Sequence, residues 1–417
     1  MNESRGEKSK RTLIICTSIV VIGVICTVCT ALTLSKGRSS ARAKDLMEGV
    51  SKEKVTSDIS INEYSKEIMD FGVNLLLECD KSAGEDENTL VSPLSAVFAL
   101  SMTANGAENE TLAQMEDVLG LKTDKLNNFS SAYLNNLSKR VSVNGTLNIA
   151  NSIWFKEAPD LTVNTDFLQI NANHYGAELF SSPFDNKTSS EINSWVNTKT
   201  DGNIPKIIDK IDKDTVMYLI NALSFDAKWY EPYKDKDVKS DNFTTSSGKK
   251  VKKSFLCGNE SEYIRDTNAQ GFIKDYAYGA YSFIAILPNE GITPDEYLAG
   301  LSAGHLSDII LNHDSWQIST KMPKFKTDYS VEMSDVLKGM GMPLAFDCKN
   351  ADFSKMGSGG KGDSLYIGEV IHKTYISVDE KGTKAGAATS VGMRQKSEPL
   401  EEVNHKEVFL TRPFVYM

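Results

Sequence analysis

The order of helix-like and strand-like patterns predicts an α+β protein with large, mainly antiparallel sheets. Apolar residues recur at helical spacing in several segments. Strand-like runs occupy residues 218–225, 281–287, 316–322 and 370–378. The two kinds of segment alternate at long, irregular intervals, without the regular strand–helix–strand units of a parallel sheet. No internal repeat is present. With 417 residues, 40% hydrophobic and 24% charged, the chain has ample material for a core.

The elements follow in chain order. Residues 1–11 are basic, with Arg5, Lys8, Lys10 and Arg11. Residues 12–34 carry no charge and are long enough to span a bilayer. The basic residues before this stretch favour a cytoplasmic amino terminus, although Lys36, Arg38, Arg42 and Lys44 follow it. An uncleaved signal-anchor is expected over a cleaved signal peptide. The apolar run is long, and the small-x-small triplet Ala41-Arg42-Ala43 lies far behind it. Either reading puts the main domain outside the cell, anchored at the surface or, after cleavage, secreted. Residues 35–60 read as a polar tether and residues 61–417 as the domain.

Ile61, Tyr64, Ile68, Phe71 and Leu75 mark a first amphipathic helix. Ser92 followed by Pro93 is a helix cap and first-turn pair, and that helix should run to about Asn105-Gly106. Thr111 with Gln114 reads as a capping box before Leu112, Met115 and Leu119, with Gly120 as the stop. Ser190 is expected to open another helix, with Ile192, Trp195 and Val196 inward and Gly202 past its end.

Composition excludes several functions. A formal charge of −10 and a pI near 5.2 leave no dominant basic field for nucleic acid. The run Lys249, Lys250, Lys252 and Lys253 reads as a solvated turn. Cys16, Cys26 and Cys29 fall in the apolar stretch; Cys79, Cys257 and Cys348 are scattered and give no disulfide framework. The tract from Gly357 to Gly362 is glycine-rich but lacks the spacing of a phosphate loop. There are five histidines, and no nucleophile elbow or metal-ligand pair. The expectation is a monomeric non-enzyme with no cofactor and no metal.

The most informative segment is Asp379-Glu380-Lys381-Gly382-Thr383-Lys384-Ala385-Gly386-Ala387-Ala388-Thr389-Ser390. From Gly382 onward it carries one long side chain, and no proline occurs before Pro399. If extended, it would place Thr383, Ala385, Ala387 and Thr389 on one face and Lys384, Gly386 and Ala388 on the other. One face is then free of bulk and charge, so the ribbon can slide over an apolar core. Gly382 reads as a pivot, because only glycine moves freely between positive and negative φ.

This segment resembles the hinge and reactive-centre loop of the serpins. Asn88-Thr89-Leu90-Val91-Ser92-Pro93-Leu94-Ser95 is similar to the family's entry to its second helix. Asn221-Ala222-Leu223-Ser224-Phe225 with Lys228-Trp229 is similar to its central-strand signature. Met322-Pro323-Lys324-Phe325-Lys326, Glu369-Val370-Ile371-His372-Lys373 and Arg412-Pro413-Phe414 follow in family order. Together they span roughly residues 61–417. The resemblance implies the serpin fold, with large sheets surrounded by helices and an exposed reactive-centre loop at about residues 380–408.

It also implies suicide-substrate inhibition of a serine protease, the partner being held as a covalent acyl-enzyme while the cut loop inserts in the main sheet. The cut falls about seventeen residues into the hinge motif, at Lys396-Ser397, which suits a trypsin-like specificity pocket. Arg394 and Met393 are the alternatives. Ser92, Ser95, Asn221 and His372 match the family's polar cluster beneath the place where the sheet parts, and Trp229 would cover the point where insertion begins. Two departures stand out. The stretch from Ser397 to Arg412 is long and carries Glu398, Glu401, Glu402 and Glu407, and the sequence stops at Tyr416-Met417 where relatives continue into a further strand. The second departure keeps open an alternative, a truncated or non-inhibitory serpin acting as a binding or decoy module.

Overall fold

A computed structural model describes residues 43–417 apart from 56–58, 61, 82, 85, 141–145, 213–214, 278–280, 302, 360–363 and 384–404. The apolar stretch 12–34 lies outside these residues. So do Lys384, Ala385, Gly386, Ala387, Ala388, Thr389, Met393, Arg394, Lys396 and Ser397. Among the described residues no helix is long and apolar enough to cross a membrane.

Helix α1 (Ser65–Asp80) buries Phe71, Leu75 and Cys79 along one stripe. It meets the start of α2 (Pro93–Ala104) at Gly72, where a Cβ would stand 2.7 Å from the Pro93 ring. Ser92 caps α2 by accepting the Ser95 N–H, and Pro93 occupies the first turn where no donor is missed. The rest of α2 is buried almost all round, the pattern of a helix at the centre of a core.

Helix α3 (Asn109–Leu119) ends on the left-handed Gly120, as expected. Its start corrects the capping-box expectation. Glu108 is the cap residue, the Thr111 hydroxyl accepts the Asp352 N–H, and the Gln114 side chain accepts the Leu344 N–H. Distant backbone donors have captured both side chains. Helices α4 (Thr123–Arg140) and α5 (Thr165–Tyr175) follow. Helix α6 (Asn186–Lys199) starts before Ser190, because Asp185 and Thr188 form a reciprocal capping box.

In the stretch expected to be a tether, Leu46 N–H donates to Leu179 O at 2.9 Å and Glu53 N–H to Asn173 Oδ1 at 2.8 Å. The compact unit accordingly begins at Asp45 and runs to Met417.

The main sheet contains β1 (Thr146–Lys156), β2 (Glu178–Ser182) and β3 (Met217–Lys228). A second sheet is laid down next by β4 (Val238–Thr244), β5 (Lys250–Arg265), β6 (Ala269–Asp275) and β7 (Ser282–Pro288). Helices α7 (Pro294–Ala299) and α8 (Ala303–Leu311) precede β8 (Asp314–Pro323), which joins the second sheet. The chain returns to the main sheet with β9 (Phe325–Glu332), helix α9 (Ser334–Met340), β10 (Glu369–Asp379) and the short β11 (Gly382–Thr383). It closes the second sheet with β12 (His405–Phe409) and β13 (Val415–Tyr416).

The main sheet runs β2-β1-β3-β11-β10-β9; the second runs β12-β8-β5-β6-β7-β13, with β4 on β5. Most pairs are antiparallel. The parallel ones are β1 with β2, β8 with β12 and β3 with β10.

Behind the main sheet, Phe98, Leu100 and Met102 of α2 pack with Ile153, Phe155, Leu219 and Val370 of the strands. Burying each such side chain contributes about 1.5–3 kcal/mol. A second cluster joins Trp229, Tyr276, Phe283, Val378, Val408 and Leu410, linking the head of the main sheet to the second sheet.

Candidate functional site

The site is the line between β3 and β10. Over half its length these strands pair directly in parallel, from Glu369 opposite Tyr218 to Tyr375 opposite Ser224. Beyond Ser224 they separate, and β11 lies between them. Gly382 pairs with Asp379 and Lys228, and Thr383 with Val378 and Ala227, antiparallel on both sides. Of the expected hinge residues, Glu380, Gly382 and Thr383 are thus placed at or in the sheet. The chain reverses over Glu380-Lys381 and feeds back into the gap. Gly382 has φ +155°, and a Cβ there would come 2.1 Å from the Ala227 carbonyl oxygen. Only glycine fits that crossing.

Thr383 is wholly buried, and its hydroxyl shares a hydrogen bond with the Tyr276 hydroxyl. Tyr276 stacks on Trp229 at 4.5 Å with 11° between the rings. The indole Nε1 of Trp229 donates to Asp379 O at 2.8 Å, and its backbone N–H to Lys381 O at 3.0 Å. Tyr233 N–H donates to Glu380 O at 2.9 Å, so all three carbonyls of the reversal are held. The Glu380 carboxylate is hydrogen-bonded by Lys324, which holds its pKa below the ordinary value.

The polar cluster lies further down the line. Ser92, Ser95, Asn221 and His372 are brought together. Asn221 and His372 are direct cross-strand partners, and both are buried. His372 Nε2 accepts the Ser92 N–H at 3.1 Å, which leaves Nδ1 to carry the proton and donate to Asn221 Oδ1. That oxygen also accepts the Ser95 hydroxyl. The Asn221 amide nitrogen donates to Ser95 O at 2.7 Å and to Asn151 Oδ1 at 2.5 Å. All four hydrogen-bonding positions of one buried amide are therefore used. Burial depresses the His372 pKa to about 4, so the ring is neutral across the physiological range.

Trp229 does not join this cluster. Ala227 lies six positions beyond Asn221 along β3, about 20 Å at strand rise, and Trp229 lies beyond it. These five residues are thus two stations on one line. Trp229 is at its open end and the Ser-Asn-His cluster is in its closed part.

Sequence reasoning missed Asn151, Tyr233 and Tyr276. Asn151 was legible in principle, as a polar residue among the apolar Leu147, Ile149 and Ile153 of β1. Nothing in the local sequence marks Tyr233 or Tyr276 as hinge contacts.

A sheet half zipped along parallel strands, holding in its open half the first residues of its own loop, defines a class of protein. The serpin (serine protease inhibitor) family profile matches residues 66–417, and the chain belongs to that family. The thermophilic serpin tengpin, solved in its native state, is 44% identical, with a TM-score of 0.83 over 90% of this chain and 95% of tengpin. Tengpin in its latent state superposes with a TM-score of 0.71 over 80% of this chain and 88% of that one. The leukocyte elastase inhibitor of Xenopus tropicalis is 30% identical over 348 residues, 78% of this chain and 89% of its own length.

Proposed function

We propose that this chain is a suicide-substrate inhibitor of trypsin-like serine proteases. The target's serine attacks the Lys396 carbonyl, an ester forms, and the Ser397 amine leaves. Arg394 and Met393 are the alternative cut positions. The freed strand then continues the pairing that β11 has begun, and the tethered enzyme is displaced before water releases it.

The observation that carries this reading is the seating of Gly382 and Thr383 between β3 and β10. Insertion would exchange one parallel ladder for two antiparallel ones, and antiparallel pairing is the more stable per residue. Continuing the register of Thr383 with Ala227 and Val378 down the line brings Thr389 opposite both Asn221 and His372. A hydroxyl arriving there would satisfy the two side chains that its entry separates. The face shared by Ala385, Ala387 and Thr389 is small enough to pass.

The test is incubation with trypsin followed by a denaturing gel. A denaturant-resistant adduct of the cut chain with trypsin is the expected result, together with raised heat resistance of the nicked chain. Clean cleavage with neither change would refute insertion and leave a binding or decoy role. The placement outside the cell, anchored through residues 12–34, rests on the apolar sequence alone. Release of the chain from membranes by carbonate wash would refute it.

A further inference from the structure

Beneath the hinge lies a buried ion pair that the insertion reading does not require. Lys274 on β6 is 4% exposed, and its Nζ sits 2.7 Å from Glu260 Oε1 on β5. Burial raises the pKa of Glu260, against the pull of the Lys274 charge. Replacing such a pair by packed apolar side chains is often neutral for stability, so stability alone gives no account of it. Its surroundings do. The ammonium lies 4.7 Å from the centre of the Tyr233 ring and 5.5 Å from that of Trp229. The Tyr233 ring in turn rests on Gly258, where a Cβ would stand 2.8 Å from Cε1. These two aromatics are the residues whose N–H groups hold the carbonyls of Asp379, Glu380 and Lys381.

We propose that Lys274 is a positioning residue: paired with Glu260, its ammonium fixes the faces of Trp229 and Tyr233 and so keeps β11 seated in the sheet. A cation over an aromatic face is attracted most strongly where water is excluded, as it is here. The charge touches neither the hinge nor the cut bond, and acts only through the two rings. The effect on inhibition rests on the insertion reading above; the effect on the hinge does not.

The test compares the full chain with the double variant Lys274→Met/Glu260→Leu and with Lys274→Arg. Hydrogen exchange of the un-nicked proteins is read at the peptides containing Trp229, Tyr233 and Thr383. In the double variant these peptides should exchange about fivefold faster or more, the least loss expected for two cation–aromatic contacts, with the thermal midpoint unchanged. Lys274→Arg keeps the charge over the rings and should exchange like the wild type. With trypsin, the double variant should need about threefold more inhibitor per enzyme trapped, because the strand enters from an unseated start. Wild-type exchange at the hinge in the double variant overturns the proposal, and so does faster exchange spread evenly over the whole chain. If the unaltered protein traps no trypsin, the insertion reading falls, while the exchange comparison still decides the role of Lys274.

Discussion

Acid should loosen the line between β3 and β10 through His372. The imidazole is fully buried, accepts the Ser92 N–H and has a pKa depressed to about 4 by desolvation. In the unfolded chain it returns to about 6.5. As the pH falls below that value the unfolded chain takes up the proton first, so stability is lost, and above about pH 7 the group contributes nothing. Linkage puts the loss at about 2 kcal/mol by pH 5 and about 3 kcal/mol by pH 4. The unfolding rate of un-nicked protein in fixed urea should therefore rise up to about thirtyfold between pH 7.5 and pH 5. His372→Asn cannot take up that proton and should lack this component. Glu369, whose pKa is raised by burial, works in the opposite direction but is present in both proteins and drops out of the comparison. The same pH ratio in wild type and variant would refute the reasoning.

Three further outcomes are expected. Thr383→Arg places a cation where the hydroxyl now meets Tyr276 at zero exposure. Trypsin should cut that variant and leave it, with the adduct on a denaturing gel reduced at least about tenfold. Gly382→Val would drive a Cβ against the Ala227 carbonyl, so β11 should leave the gap, read as faster hydrogen exchange at residues 381–383 in the un-nicked chain. Thr389→Val should leave the un-nicked thermal midpoint within a degree or two. It should lower the heat resistance gained on nicking, by about 1–3 kcal/mol for buried partners left unsatisfied.

The main strands were legible because their apolar runs are long and bounded. Residues 218–225 and 370–378 fall inside β3 and β10. Gly382 and Thr383, the hinge residues that the structure describes in the sheet, were singled out by the small side chains of their segment and by the family resemblance, since a segment that must enter a packed sheet cannot carry bulk on its inner face. The failures have different causes. Thr111 and Gln114 have the spacing of a capping box, yet their side chains answer to Asp352 and Leu344, more than two hundred residues away. The start of α6 was lost because Asp185 was not weighed as a cap, although it lies three residues before Thr188. The pairing of Lys274 with Glu260 joins two strands through the sheet register, and no local pattern announces it.

The half-zipped line also sets the arithmetic of this molecule. If the proposed insertion runs its course, a gap filled by one strand and closed on both flanks by new rungs would offer no easy path back to the starting arrangement. On the proposed mechanism each copy would serve once, and the amount of protease disposed of would be set by how many copies the cell makes rather than by how fast any of them works.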